Sequence, residues 1–292
     1  MKCTVSQEEV LRVKGEGFLR DKLTEDCFNG RVITRNGKIT AAEMKVIAEA
    51  AERFGSGQVA MTSRMTIEIQ RIPFANIAPL QAFLMEHGLE TGGTGPKVRP
   101  VVSCKGTTCQ YGLIDTFALS EAIHERFYKG FHDMKLPHKF KIAVGGCPNN
   151  CVKPDINDLG IIGAKTPIAD LEKCRGCKKC QVAESCPIKA ASVRAGKIVF
   201  EGCNACGRCF EKCPFGAVAH PQSGYKVYLG GRWGKKVARG IPLDRIFTSQ
   251  EEVLELIERV ILFYRDNGTP GERFAETIER IGFERVQEAL LR

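Results

Sequence analysis

The pattern of apolar and polar positions predicts two helices in the first third of the chain. The first follows Thr40-Ala-Ala-Glu43, a capping box in which Thr40 and Glu43 satisfy each other's backbone N–H groups, and it runs to about Phe54. The second helix runs from Asn76 to His87, where Gly88 ends it. The first helix places apolar residues at helical spacing: Met44, Ile47, Ala48 and Ala51.

Extended segments are predicted around these two helices. Arg31–Thr34, Gln58–Met61 and Met65–Ile69 have the composition of short strands, and Asn36-Gly37 marks a turn after the first of them. The order strand, helix, strand, strand, helix is typical of a ferredoxin-like α+β sandwich. The first part of the sequence therefore predicts an α+β fold.

The pattern changes after a glycine-rich boundary, Gly92-Gly-Thr-Gly95-Pro96. A helix is predicted over Thr116–Tyr128, and strands are predicted over Lys139–Val144 and Tyr225–Gly231. Ser249-Gln-Glu-Glu252 caps a further long helix, and two short helices finish the chain. The apolar stripes of these last helices predict packing rather than function: Leu254, Ile257, Ile261, Phe274 and Ile278.

Length and composition narrow the class of protein. The 292 residues are enough for two or three small domains. There is no run of eighteen apolar residues and the N-terminus is polar, so neither a transmembrane helix nor a secretory signal is expected. We therefore expect a cytoplasmic protein, in which fourteen cysteines indicate metal binding rather than disulfides. Only Cys3 and Cys27 fall outside metal-binding patterns, and we expect both to be ordinary thiols.

The formal net charge of +9 indicates an anionic partner. The basic residues are scattered along the chain, and no helix-turn-helix, zinc-finger or aromatic RNA-binding motif accompanies them. Nucleic acid is therefore not the expected partner.

Two close pairs of cysteines lie far apart in the sequence, as Cys104-Lys-Gly-Thr-Thr-Cys109 and Cys147-Pro-Asn-Asn-Cys151. Two loops that clamp one metal centre need this arrangement, and the glycines around them (Gly106, Gly145 and Gly146) let backbone approach a bulky group. Four such thiols suit a [4Fe-4S] cluster or a structural zinc. Iron–sulfur ranks first, because eight further cysteines have iron–sulfur spacing.

Those eight cysteines form an internal repeat within residues 173–221. Cys174-Arg-Gly-Cys177-Lys-Lys-Cys180 precedes Cys186-Pro187, and Cys203-Asn-Ala-Cys206-Gly-Arg-Cys209 precedes Cys213-Pro214. The second copy matches the bacterial ferredoxin run, in which the fourth cysteine serves the other cluster. We therefore predict two further [4Fe-4S] clusters, with these ligands: Cys174, Cys177, Cys180 and Cys213 for one, and Cys203, Cys206, Cys209 and Cys186 for the other.

The segment Gly145-Gly-Cys-Pro-Asn-Asn-Cys151, followed by Asp158-Leu-Gly-Ile-Ile-Gly163, resembles the most specific signature of the siroheme-dependent sulfite and nitrite reductases. Within that family the chain looks most like the anaerobic, dissimilatory-type sulfite reductase subunit with an inserted two-cluster ferredoxin. The resemblance implies a siroheme whose iron is bridged to the cluster by Cys151, with Asn149 also at the cofactor. The first cysteine pair departs from the family, because four residues separate its cysteines instead of five.

Four cations also match positions at which the family binds its substrate anion: Arg64, Arg99, Lys139 and Lys141. Arg64 is implied at the cofactor as well. Met65 stands where the family has a glutamine, and His138 where it has an arginine. Lys139 and Lys141 alternate along a predicted strand, and a cluster of like charges needs an anion. Three histidines are possible proton carriers, although a surface role is the simpler expectation: His124, His132 and His138.

The resemblance implies an α+β siroheme reductase module with an inserted 2[4Fe-4S] ferredoxin. Residues 1–92 would form the ferredoxin-like half-domain, 93–172 with 222–245 the siroheme and cluster domain, 173–221 the insert, and 246–292 the C-terminal helices. The implied function is six-electron reduction of sulfite to sulfide, with electrons delivered through the insert. The alternatives are a siroheme nitrite reductase, which forms ammonia, and a non-catalytic iron–sulfur electron-transfer subunit. Loss of the four cations would be the signature of the second alternative, and this chain keeps all four.

The resemblance also implies partners. A low-potential electron donor protein or subunit must supply the electrons. Related assimilatory enzymes contain two tandem copies of this module, and the cations and the bridging cysteine of one site come from opposite copies. This chain has one copy with both sets, so we expect a homo-oligomer or a complex with a homologous subunit.

Overall fold

The computed structural model describes residues 4–218 and 221–292. Contacts divide the chain into two compact units. The first unit comprises the chain up to Ser103 together with Ser120–Ile142 and Glu258–Leu290. The second comprises Cys104–Leu119, Ala143–Ile257 and Leu291–Arg292.

The described residues form α-helices with these bounds: α1 Gln7–Gly15, α2 Ala41–Phe54, α3 Ile77–Glu86, α4 Thr116–Ile123, α5 Gln181–Glu184, α6 Gln250–Asn267, α7 Phe274–Ile281 and α8 Phe283–Leu291. The strands are β1 Phe18–Arg20, β2 Cys27–Val32, β3 Val59–Met61, β4 Ile67–Pro73, β5 Val102–Ser103, β6 Ile142–Gly145, β7 Leu159–Pro167, β8 Ala191–Arg194, β9 Lys197–Phe200, β10 Pro221–Leu229 and β11 Ile241–Phe247. Short 3₁₀ turns cover Phe74–Asn76, Gly106–Thr108 and Pro154–Ile156, and a π-helical segment covers His124–Lys129.

An antiparallel sheet with the order β1-β2-β4-β3 forms the base of the first unit. Helices α2 and α3 bury apolar side chains in the same core as this sheet, among them Ile47 and Leu80. The predicted capping box is present, because the Thr40 side chain accepts from the Glu43 N–H while the Glu43 carboxylate accepts from the Thr40 N–H. The ferredoxin-like α+β arrangement is thereby confirmed for this half of the protein.

Some predicted boundaries in the first unit are wrong by a few residues. The strand expected at Arg31–Thr34 ends at Val32, and β2 begins earlier, at Cys27. The Asn36-Gly37 turn is confirmed, since both residues have positive φ (61° and 83°). Helix α1 was not predicted, although the sequence carries its signal, because Ser6 and Glu9 form a second capping box.

In the second unit β11, β10, β7 and β6 lie side by side in that order. Strand β7 pairs antiparallel with β10 along its whole length, from Leu159 opposite Leu229 to Pro167 opposite Pro221. The cysteine repeat surrounds the hairpin β8–β9 and has a small core of its own, in which Val182, Ile198 and Phe210 are buried. The strand predicted at Tyr225 is confirmed, but it begins four residues earlier, at Pro221.

The apolar stripes of the C-terminal helices are buried as predicted, with Ile257 and Phe274 fully inaccessible to solvent. Cys27 opens β2 and is buried, and its pKa is raised mainly by that burial, so it remains an ordinary protonated thiol. Cys3 lies outside the described residues. Within the described part of the chain, no helix combines the length and the apolar character needed to cross a bilayer.

Candidate functional site

Two loops of the second unit bring the first four cysteines together. Cys104 directly follows β5 in the sequence, and Cys109 ends the 3₁₀ turn Gly106–Thr108. Strand β6 ends at Gly145, so that Cys147 and Cys151 lie in the loop beyond it. Burial raises the pKa of the Cys147 thiol, and the charges of Cys104, Cys151 and Cys109 raise it further. Four thiols that influence one another in this way need a shared cation if they are to ionise together.

Glycines allow the two loops to meet. A Cβ atom at Gly106 would lie 2.8 Å from the Cα atom of Gly146, and one at Gly146 would lie 2.7 Å from the Cα atom of Gly106. Any larger residue at either position would separate the loops. The Gly146 N–H donates to the Cys104 sulfur (3.1 Å), and the Thr116 hydroxyl donates to the Cys104 carbonyl (2.7 Å). The glycines expected from the sequence therefore bring the two cysteine pairs to one place.

Cys151 differs from the other three members of this group, which we call the first quartet. Cys151 is exposed, whereas Cys104, Cys109 and Cys147 are each half-buried. The neighbouring Asn149 is also exposed, and its backbone N–H donates to the Cys147 thiol and favours the thiolate. One face of the first quartet is therefore open at Cys151 within the second unit.

The structure also brings together a quartet predicted within the repeat. The pKa of Cys209 is raised to about 11, first by burial and then by the charges of Cys203, Cys206 and Cys186. Cys186 is separated in sequence from the other three, so their proximity depends on the fold. Burial raises the pKa of Cys186, but backbone N–H groups of the segment from Ile188 to Ala191 reverse this effect and lower it. Such donors favour a thiolate, the form that binds iron.

For the remaining predicted quartet, the structure shows the surroundings of the individual cysteines. Cys174, Cys180 and Cys213 all pack against the small core of the repeat. The Ile198 N–H donates to the Cys174 sulfur (3.3 Å), which matches the N–H donation from Ala190 to Cys186 (3.2 Å). Hydrogen bonds to cysteine sulfur are one of the levers by which proteins set cluster potentials. Cys177 is half-buried in the same run of residues.

No group of three or more His, Cys, Asp or Glu side chains among residues 4–218 and 221–292 is arranged around a single metal ion. A tetrahedral zinc site would need four ligand atoms within about 2.3 Å of one point. A [4Fe-4S] cluster has a different requirement, because its four cysteines bind a group of irons rather than one ion.

The four predicted substrate cations lie in the first unit, and hydrogen bonds bring their segments together. The Arg64 guanidinium donates to the carbonyl oxygens of Pro100 (2.6 Å) and Ile142 (3.4 Å). The Arg99 side chain donates to the carbonyls of Gly93 and Gly95. The segment of Lys139 and Lys141 lies beside Arg99, because the N–H of Arg99 donates to the carbonyl of Phe140, which stands between the two lysines (2.8 Å). All four cationic residues are half-buried: Arg64, Arg99, Lys139 and Lys141.

Phe140 anchors the lysine segment, and sequence reasoning missed this role. Its side chain is fully buried, and its ring lies 5.7 Å from that of Tyr264 and 5.5 Å from that of Phe274. The predicted strand over Lys139–Val144 begins only at Ile142, so the lysines precede it instead of alternating along it. Lys139 and Lys141 are instead the two chain neighbours of a buried aromatic residue, and this fixes their backbone.

The three candidate histidines have different surroundings. His132 is exposed, and His138 accepts a hydrogen bond at Nδ1 from the Lys139 N–H (2.7 Å). His124 is buried in the π-helical segment, and its ring stacks on Tyr128 with 4.9 Å between ring centres. Burial lowers the pKa of His124 to about 4. His124 is thus a neutral core residue, which does not fit the role of a proton carrier near neutral pH.

Two family models match the chain. The nitrite and sulphite reductase 4Fe-4S domain covers residues 94–292, and the nitrite/sulfite reductase ferredoxin-like half domain covers residues 22–87. Their order agrees with the order of the half-domain and the cluster domain predicted from the sequence. The first quartet lies within the longer match.

Curated relatives include two proteins named as sulfite reductases. The coenzyme F420-dependent sulfite reductase of Methanocaldococcus jannaschii is 34% identical over 84% of this chain, and the match spans 39% of that protein. A subunit of the anaerobic sulfite reductase of Salmonella typhimurium is 29% identical over 88% of this chain and 81% of the relative. The chain therefore spans well under half of the first relative and most of the second.

Two solved structures share the fold. The crystal structure of dissimilatory sulfite reductase I matches with a TM-score of 0.71 and 21% identity, over 90% of this chain and 69% of the other. The NirA protein of Mycobacterium tuberculosis matches with a TM-score of 0.68 and 17% identity, over 98% of this chain and 47% of the other. At these identities the likeness establishes the fold.

Proposed function

Since the chain belongs to the nitrite and sulphite reductase family, we propose that it is a siroheme-dependent sulfite reductase subunit. The reaction adds six electrons and six protons to hydrogen sulfite and yields hydrosulfide and three molecules of water. The electrons reach the first quartet through two further [4Fe-4S] clusters in the cysteine repeat.

The observation that carries this proposal is the convergence of the first quartet. Two loops far apart in sequence place Cys104, Cys109, Cys147 and Cys151 where their charges interact. A simple apolar core does not require the close backbone approach of Gly106 and Gly146. It does serve a bulky inorganic group held between two backbone segments.

Features of the second unit are compatible with a siroheme next to this cluster. Cys151 is the exposed member of the first quartet, so it is the member at which a second metal group would meet the cluster. Asn149 is exposed beside it. When bound, siroheme would supply an iron that takes the substrate as a ligand and transfers electrons to it. The +9 net charge suits a cofactor and a substrate that are both anionic.

The four cations of the first unit supply the remaining chemistry. An anion that loses oxygen atoms as water must be neutralised, and each departing oxygen must accept protons. Arg64 and Arg99 are held by carbonyl oxygens, so their guanidinium groups are fixed in position before substrate arrives. Lys139 and Lys141 carry ammonium groups that donate hydrogen bonds, and buried Phe140 fixes the backbone between them. Pre-positioned donors of this kind stabilise developing charge most effectively.

The repeat supports the proposed electron path. Its cysteines form part of its own small core, as expected when iron–thiolate bonds hold a segment that has few other buried side chains. One of its predicted quartets converges around Cys209. A reaction that consumes six electrons needs such a route, because the donor is a separate protein or subunit. Relatives that carry the names of sulfite reductase subunits support a place within a larger assembly.

Protein purified without oxygen tests the proposal. We expect its absorption spectrum to contain a siroheme band above the broad iron–sulfur absorption, and we expect it to form sulfide from sulfite with a reduced viologen dye. Lys139→Ala or Lys141→Ala should lower turnover far more than siroheme content. An equal loss of both would make the lysines cofactor ligands instead.

Two outcomes would replace this proposal. Nitrite reduced to ammonia much faster than sulfite is reduced would make the protein a siroheme nitrite reductase, and the relative named nitrite reductase in Bacillus subtilis gives that alternative its basis. Iron–sulfur absorption without a siroheme band, in protein that reduces neither anion, would leave an electron-transfer subunit.

A further inference from the structure

The two cysteine runs of the repeat have different neighbours within the second unit. We call Cys174–Cys180 the first run and Cys203–Cys209 the second run. The guanidinium carbon of Arg208, in the second run, lies 4.9 Å from the centre of the Tyr111 ring. Tyr111 follows Cys109 of the first quartet by two positions. The second run therefore contacts the loop that holds half of the first quartet.

Two further contacts place the second run beside the reductase part of the second unit. The Lys165 N–H on β7 donates to the Ala205 carbonyl (2.8 Å). A cavity of about 260 Å³ is lined both by Pro148 and Asn150, between Cys147 and Cys151, and by Asn204 of the second run. The second run thus faces both loops of the first quartet.

The first run makes its contacts inside the repeat. A Cβ atom at Gly176 would lie 2.3 Å from the Gly196 carbonyl oxygen, at the turn between β8 and β9. The Lys197 ammonium donates to the carbonyl oxygens of Leu171 (2.6 Å) and Cys174 (3.2 Å). These contacts hold the first run against the β8–β9 hairpin.

The charges of the two runs also differ. Leu171–Cys180 contains four basic residues and one acidic residue, Glu172, whereas Cys203–Cys209 contains Arg208 and no acidic residue. Lys173 forms an ion pair with Asp170 (2.8 Å). Arg175, Lys178 and Lys179 are exposed, and no described residue gives any of them a hydrogen bond or an ion pair. Leu171, four positions before Arg175 in the chain, is an apolar side chain that is 50% exposed. Exposed cations without partners attract an acidic protein and orient it, and an exposed apolar side chain adds contact area.

We infer that the segment Leu171–Cys180 is the docking surface for an acidic electron-carrier protein, and this inference rests on the proposed function. Electron transfer weakens steeply with distance, so the cluster of the second run passes electrons to the first quartet and the cluster of the first run receives them. Each encounter oxidises the carrier by one electron and reduces the receiving cluster by one electron, and no bond is made or broken. Unpaired lysines around the receiving cluster attract a carrier of opposite charge and orient it.

Charge reversal tests this docking surface. The variant Lys178→Glu/Lys179→Glu is compared with Lys22→Glu/Lys45→Glu, which makes the same charge change at two exposed lysines of the first unit. The probe is an acidic plant-type [2Fe-2S] ferredoxin, used in its gallium-substituted, redox-inactive form for calorimetry. We expect the first variant to bind this probe about tenfold more weakly at low salt. The difference should shrink at high salt, where exposed charges are screened.

A kinetic measurement separates this inference from the proposed function. Reduced ferredoxin is mixed with the oxidised protein in the absence of sulfite, and bleaching of the iron–sulfur absorption is followed, normalised to the bleaching produced by a viologen dye. We expect Lys178→Glu/Lys179→Glu to slow the ferredoxin-driven rate about tenfold relative to the control variant. Equal rates and equal binding in the two variants would overturn the docking surface even in an active sulfite reductase. Lysine-dependent binding by protein that lacks siroheme would overturn only the proposed function.

A second variant covers the case in which charge reversal prevents cluster assembly. Lys178→Gln/Lys179→Gln removes the two charges without adding acidic groups next to Cys177 and Cys180. We expect binding of the ferredoxin to weaken about threefold in this variant. Protein with full iron content and unchanged binding would contradict the inference.

Discussion

The ring of Phe140 lies 5.5 Å from the ring of Phe274, at an interplanar angle of 61°. Phe140 separates the two proposed substrate lysines, and Phe274 opens helix α7. The Gly271 N–H, close to the start of that helix, donates to the Pro137 carbonyl (2.9 Å). The C-terminal helices therefore hold the segment that presents Lys139 and Lys141.

We predict that Phe274→Ala raises the KM for sulfite as well as lowering stability. Removal of a buried phenylalanine costs about 3–5 kcal/mol in general, because a cavity is left. Here the cavity would open beside Phe140 and loosen the lysines. Steady-state kinetics with a viologen dye and a thermal melt are the measurements. Phe18→Ala is the matched control, since Phe18 is equally buried but belongs to the half-domain core. A KM that rises equally in both variants would show a general effect of lost stability.

A second prediction concerns the contact between Arg208 and Tyr111. We expect Tyr111→Leu to slow electron transfer from the repeat to the first quartet two- to fivefold, because an exposed cation–π contact contributes about 0.5–1 kcal/mol to docking. Tyr111→Phe keeps an aromatic ring under the guanidinium and should keep the rate. Rapid freezing followed by electron paramagnetic resonance can follow the order in which the clusters are reduced. If leucine and phenylalanine behave alike, the contact has no part in this step.

The number of clusters gives a third prediction. Three quartets should bind about twelve cluster irons and an equal amount of acid-labile sulfide. Cys209→Ser should remove one cluster and leave about eight irons, because Cys209 belongs to the quartet that converges with Cys186. Cys27→Ser is the control, since Cys27 is a buried thiol in another core. Tightly bound zinc, or about eight irons in the unaltered protein, would refute the assignment of the three quartets.

Sequence alone predicted the features that depend on neighbouring residues. The capping box at Thr40 and Glu43, the Asn36-Gly37 turn and the cysteine spacings are all local patterns, and the fold contains each of them. The contacts that arrange the candidate site join distant residues, such as Phe140 and Phe274 or Tyr111 and Arg208. No periodicity along the chain encodes such pairs, because tertiary packing selects them.

The strand before the second cysteine pair shows how tertiary contacts override a local pattern. Alternation of Lys139, Phe140 and Lys141 favours a strand. In the fold this segment makes one parallel bridge, between Phe140 and Val98, and the strand starts only at Ile142. The packing of Phe140 against aromatic rings from the end of the chain fixes its course instead. The sequence therefore predicted that a strand leads into the second cysteine pair, but it placed the start of that strand three residues too early.

A fourth prediction concerns assembly. If the cations of one chain act at the cofactor held by Cys151 of another, Lys141→Ala and Cys151→Ser should each be inactive alone. Mixed in equal amounts with free subunit exchange, they should recover about a quarter of full activity. Half of the dimers would be mixed, and each mixed dimer would contain one intact site and one site with both defects. Native mass spectrometry verifies exchange. Proven exchange without recovery, or a fully active monomer, would refute a site shared between chains.

The last prediction uses the buried His124. Burial, and after it the positive charge of Lys129, lower the pKa of His124 to about 4. In the unfolded chain a histidine titrates near 6.5, so between pH 6.5 and 4 the unfolded state binds a proton that the folded state does not. The contribution of neutral His124 to the free energy of unfolding is therefore fully present above pH 6.5. It is lost as the pH is lowered towards 4.

Between pH 7 and pH 5, the shifted pKa of His124 should lower the free energy of unfolding by about 2 kcal/mol. We expect His124→Phe, which keeps a ring to stack on Tyr128, to lose correspondingly less stability over that range. Urea unfolding midpoints of the unaltered protein and the variant are compared at each pH, so that acid effects on the clusters are common to both. His132→Phe, at an exposed position of the same unit, should retain the full pH dependence. An unaltered pH dependence in His124→Phe would show that His124 is already protonated in the folded protein at pH 5.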